Sequence, residues 1–82
     1  MSENPEEAVR STNPKFPGYA KRQDEREWLV YRTDDQQVGL MMETDIHGVF
    51  DVLSLHRSEP VEVQGFQAAL AYCLENFRPR PL

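Results

Sequence analysis

Between positions 27 and 57 the chain carries three short runs whose apolar residues fall on both parities, and only the later stretch 61–77 has the spacing of a helix. One helix covers one face of a sheet, so this pattern poses two apolar faces and a single lid. The first run, EWLVYRT at 27–33, is rich in aromatic and β-branched residues and predicts a strand. The runs VGLMMET at 38–44 and VFDVLSLHR at 49–57 predict two more, joined by the polar turns DDQQ at 34–37 and DIHG at 45–48.

In the stretch 61–77, Phe66, Leu70, Cys73, Leu74 and Phe77 recur on one helical face. Ser58 or Glu59 offers a cap, with Pro60 near the first position, where a missing N–H costs nothing. Pro79 and Pro81 end the helix and Arg78 suits its negative end. The expected fold is therefore α+β: a three-stranded antiparallel β-meander followed by one C-terminal α-helix on one sheet face, in the order β-β-β-α. The expected organisation is a disordered tail at 1–14, a charged arm at 15–26, one domain at 27–78 and a Pro-rich end at 79–82.

Side chains alternate across a strand, and both turns span an even number of residues, so face parity carries through the sheet. One face receives Leu29, Tyr31, Val38, Leu40, Met42, Val49, Leu53 and Leu55; the other receives Trp28, Val30, Met41, Phe50 and Val52, with Arg32 beside them. The leucine-rich face is expected to pack on the helix. The second face, Trp28, Val30, Arg32, Met41, Phe50 and Val52, has the aromatic, Met and Arg content of protein interfaces and is the expected partner-binding surface. The competing expectation is that the arm folds back and fills it with Phe16 and Tyr19.

Size sharpens the point. A chain of 82 residues builds one small core near the limit of independent stability. Such domains usually add a disulfide, a metal or a partner. A single cysteine, Cys73, excludes an internal disulfide and suggests a reducing compartment. Met1 to Asn13 lacks the basic and apolar regions of a signal peptide, and no run approaches the roughly 20 apolar residues of a membrane span. The expectation is a cytoplasmic protein with no membrane partner that binds another protein or a second copy of itself.

Net charge is −5, and it is unevenly spread. Residues 15–32 hold Lys15, Lys21, Arg22, Arg26 and Arg32 against Asp24, Glu25 and Glu27. Residues 33–62 hold Asp34, Asp35, Glu43, Asp45, Asp51, Glu59 and Glu62 against Arg57 alone. The β-β-β-α order resembles that of some sheet-based DNA readers, but those carry a basic sheet face. The second reading is therefore nucleic-acid binding by the basic-aromatic arm, with Lys15, Phe16, Tyr19, Lys21, Arg22 and Arg26 contacting phosphates and stacking bases. A third is an acidic mimic that blocks a basic surface.

No catalytic constellation emerges. Cys73 sits mid-face on the helix between Leu70 and Phe77, where burial makes a thiol inert. His47 and His56 match no metal-ligand spacing. Asp34 and Asp35 fall on a turn tip, and the glycines are isolated, with no phosphate loop. The expectation is a non-enzymatic protein without cofactor or metal.

Overall fold

The computed structural model describes residues 8–56 and 59–79. Six strands form one antiparallel sheet in chain order: β1 Ala8–Arg10, β2 Tyr19–Arg22, β3 Glu27–Tyr31, β4 Gln37–Glu43, β5 Val49–Ser54 and β6 Val61–Gln64. One helix, α1 Phe66–Asn76, follows. The three expected strands are the middle of this sheet. The expected three-stranded meander is thus corrected: the sheet gains two strands before them and one after.

Each added strand has a local reason. β1 and β2 lie in segments expected to be tail and arm, and their polar residues hide the alternation. Val9 and Ala20, which pair with each other, turn toward the core. β6 replaces the first turn of the expected helix. Val61 and Val63 alternate with Glu62 and Gln64, a strand period that β-branched residues favour. Gly65 then sits at φ +99°, outside the helical range, and divides strand from helix. Its amide donates to Gly48 O, joining two glycine turns. The proposed cap does not form: Gly65 is the N-cap residue, Glu59 lies in coil, and Ser58 is outside the described residues.

The turns suit their residues. Asp35 adopts φ +66° between β3 and β4, a conformation Asp tolerates better than most side chains. The Arg32 amide donates to Gln36 O at 2.9 Å to close that turn. Between β4 and β5, Thr44 Oγ1 lies 3.1 Å from Ile46 O and 2.9 Å from Val49 O, with Gly48 at φ +86°.

Register places Trp28 opposite Met41 and Met41 opposite Val52; one residue on, Leu29 faces Leu40 and Leu40 faces Leu53. These rows follow the parity read from the sequence. The exception is Val38. A register shift at Val30/Tyr31 pairs Val30 with Gly39 and Tyr31 with Gln37, leaving Val38 as the extra residue of a bulge. Val38 is fully buried in the core rather than on the leucine face.

The helix lies on the face opposite to the one expected. Ala69, Leu70 and Cys73 pack with Val30, Val38, Met41, Phe50 and Val52 in one buried cluster. Phe66 makes edge-to-face contacts with Trp28, centroids 4.9 Å apart, and with Phe50 at 5.5 Å. Small residues explain the choice. Ala20 is fully buried on this face, and a Cβ built on Gly39 would stand 2.8 Å from the Phe77 ring. The opposite face has three leucines side by side across β3, β4 and β5 and offers a helix no such close approach.

Candidate partner-binding face

With α1 on the Trp28 side, the expected partner surface is corrected. Val30, Met41 and Val52 are fully buried, Phe50 is 6% exposed, and Trp28 is half-buried beneath Phe66. Arg32 is not on that face: it occupies the β3–β4 turn, where Nη2 donates to Asp34 Oδ2 at 3.0 Å. These residues build the core, and their aromatic and Met content served packing.

The leucine face is left without a helix. Across neighbouring strands, Lys21, Leu29, Leu40 and Leu53 form one row. Cross-strand neighbours stand about 5 Å apart at Cβ, so the three leucines form a continuous strip. All three are half-buried. On one side of the strip lies the row Arg10, Tyr19, Tyr31 and Gln37. Tyr19 and Tyr31 stack at 5.2 Å with their planes 10° apart. On the other side lies the row Glu27, Met42, Asp51 and Glu62, in which Met42 is 39% exposed.

Tyr19 carries the most perturbed exposed group. Its hydroxyl donates to Asp35 Oδ1 at 2.7 Å. That hydrogen bond, then desolvation and the Asp35 charge, push its pKa from 10.0 up to about 12. The bond ties the Tyr19 side chain to the β3–β4 turn beside Tyr31.

The basic-aromatic arm does not remain one unit. Phe16 and Lys15 line a shallow cleft with Leu74, Phe77 and Arg78 at the end of α1. Tyr19 and Lys21 stand on the leucine face. Arg22 lies on the other side, its guanidinium 5.6 Å from the Trp28 ring centre and bonded to Asp24 O and Glu25 O. Arg26 pairs with Asp45 at 3.4 Å. Six residues expected to form one nucleic-acid contact surface are thus divided over three parts of the molecule. Among the described residues, the arm does not lie over the row Leu29, Leu40 and Leu53. Its loop is held on the helix side, where Gln67 Oε1 accepts from the Thr12 amide at 2.9 Å and Gln67 Nε2 donates to Arg10 O at 3.1 Å.

The remaining reactive groups lie apart. Cys73 is fully buried, and burial pushes its thiol from 9.0 up to about 12. His47 is exposed on the β4–β5 turn, and His56 Nε2 lies 3.2 Å from Arg78 O at the far end of the sheet. Among the described residues no three His, Cys, Asp or Glu side chains converge on a metal-sized site. A larger open cleft of about 630 Å³ lies between residues 10–14 and Thr33, with Tyr19 and Asp35 on its wall. No described helix is long and apolar enough to cross a membrane.

The leucine strip was legible as one face of the sheet, but the tyrosine pair needed β2. The signal was present in Tyr19 and Lys21 alternating with Ala20 and Arg22, a strand period obscured by charge. No protein-family model, no curated protein and no solved structure matches this chain.

Proposed function

We propose that this chain is a non-enzymatic protein-interaction module whose binding surface is the open sheet face around Leu29, Leu40 and Leu53. The observation that carries the reading is that three-leucine strip, flanked by the stacked Tyr19–Tyr31 pair and by Met42, with α1 on the opposite side of the sheet. A contiguous apolar patch bordered by charge is the usual mark of an interaction surface. Covering it contributes about 25 cal/mol for each Å² of apolar area removed from water. The tyrosines add contact area at small entropic cost, since each has only two side-chain torsions and Tyr19 is anchored by Asp35. A small core without a disulfide also gains from an associated partner.

The test compares capture by immobilised wild type, Leu40→Asp and Glu75→Lys, the last on the exposed helix surface. Circular dichroism establishes that each variant is folded. Proteins retained by wild type and Glu75→Lys but lost with Leu40→Asp, or self-association with the same dependence, support the reading. Association that ignores Leu40→Asp overturns it.

A further inference from the structure

We propose that the cleft at the C-terminal end of α1 binds a small phosphate monoester. Lys15, Arg32 and Arg78 hold its phosphate, and its organic body lies against Phe16, Leu74 and Phe77. The site is separate from the leucine face and does not depend on the interaction reading above.

The chain has a net charge of −5, with 14 acidic and 9 basic side chains. A patch drawn evenly from that composition would carry more acids than bases. This cleft has the reverse: Lys15, Arg32 and Arg78 line it, and among the described residues no Asp or Glu does. Its volume of about 280 Å³ is just below the ~300 Å³ at which ligand sites begin, so it suits a small ligand. Phe16, Leu74 and Phe77 line it too, each half-buried, and their open parts give it an apolar wall.

Each basic residue comes from backbone held by hydrogen bonds. The Lys15 amide donates to Asn13 Oδ1 at 2.9 Å and the Phe16 amide to Asn13 O at 3.1 Å. The Arg32 amide donates to Gln36 O across the β3–β4 turn. After α1, His56 Nε2 lies 3.2 Å from Arg78 O and 3.3 Å from Pro79 O, which ties the segment carrying Arg78 to the end of the sheet.

Among the described residues, Lys15 and Arg78 have no ion pair or side-chain hydrogen bond. Arg32 commits Nη2 to Asp34 and keeps other N–H donors of its guanidinium. With that pair electrically neutral, two cations remain for a ligand. A phosphate monoester carries about −1.5 to −2 at pH 7 and three strong acceptor oxygens, which matches two cations and a guanidinium. The negative end of α1 opposes an anion. Two of its last carbonyls are already engaged, Cys73 O by the Phe77 amide and Tyr72 O by Asn76 Nδ2.

Titration of the full chain with phenyl phosphate, followed by amide proton–nitrogen shifts, tests the site. The expected result is saturable shifts at Phe16, Thr33 and Phe77, with a Kd of about 1 mM or tighter. Combining Lys15→Ala with Arg78→Ala should weaken binding at least tenfold, since each removes a charge-assisted contact. Lys15→Glu, one change at an exposed position, should give the same loss if the double variant disturbs the fold. Arg26→Ala, on the distant pair with Asp45, should leave binding unchanged. Inorganic phosphate should bind several-fold more weakly, because it leaves the apolar wall uncovered. Circular dichroism confirms the fold of each variant. No saturable shift at those amides up to about 10 mM phenyl phosphate overturns the proposal. Binding that survives the Lys15 and Arg78 changes, or falls equally with Arg26→Ala, is diffuse attraction and also overturns it. Inorganic phosphate bound as tightly as phenyl phosphate removes the apolar wall from the site and overturns the monoester assignment.

Discussion

The ring of Phe77 rests on Gly39: a Cβ at position 39 would lie 2.8 Å from Phe77 Cδ2 and 2.5 Å from Leu53 O. The end of α1 and the centre of the sheet meet only because β4 has no side chain there. Gly39→Ala therefore forces a backbone oxygen and a packed ring to move. The expected cost is about 1–3 kcal/mol, the range for overpacking a core. Urea unfolding measures it, and Phe77→Leu in the same background should recover part of the loss by relieving the ring contact.

Trp28 separates core from surface. It packs edge-on against Phe66 and carries Arg22 over its ring. Trp28→Ala should destabilise the fold by about 3–5 kcal/mol, enough to unfold a domain of marginal stability. Leu40→Asp, on the open face, should leave the melting temperature within a few degrees of wild type. Thermal melts of the two variants side by side check the assignment of faces. Equal destabilisation would contradict it.

Alkaline pH should unfold the chain through two raised groups. The folded pKa of Tyr19 is about 12 against 10.0, chiefly from its hydrogen bond to Asp35, and that of Cys73 is about 12 against 9.0, from burial. A group whose pKa is raised on folding contributes stability below its unfolded value and loses that contribution as pH climbs through the folded one. Stability should thus be flat below pH 9 and decline between about 9 and 12. Asp35→Gly keeps the positive φ accessible and removes the acceptor, so the phenolate absorbance of Tyr19 should appear near its ordinary value.

Cys73 should react with alkylating reagents only on unfolding, because its thiol is protonated and enclosed. Cys73→Ser places a hydroxyl in an apolar site beside Leu70 and should cost about 1–3 kcal/mol. Alkylation rates across a urea series check the first outcome and the denaturation midpoint checks the second. Rapid modification of the native chain would mean that α1 opens readily.

Much of the middle of the molecule was legible from residue pattern. Trp28, Met41 and Val52 share a row, as do Leu29, Leu40 and Leu53: strand alternation is local, the four-residue turn 45–48 carries it from β4 to β5, and between β3 and β4 the extra residue Val38 offsets a loop that closes Arg32 on Gln36 across an odd number of residues. Phe66, Leu70 and Cys73 share a helix face for the same kind of reason. The edges were less legible. β1 exposes two of its three residues and β2 carries Lys21 and Arg22 around buried Ala20, and a strand so charged reads like a loop. β6 is hidden in the expected helix because Ser58, Glu59 and Pro60 read as a helix start just before Val61, whereas Gly65 at φ +99° separates strand from helix.

The sequence by itself determined that two apolar sheet faces compete for one helix, and which residues stand on each apart from Val38 and Arg32. Only the tertiary structure decided which face is covered. Closeness of approach made the difference: Ala20 and Gly39 let α1 settle onto the Trp28 side, and the Val30/Tyr31 bulge adds Val38 to the core there. The leucine row has a branched side chain at each of its three central positions, and α1 does not pack on it. The face that α1 does not cover, for want of close packing, is the one proposed above for a partner.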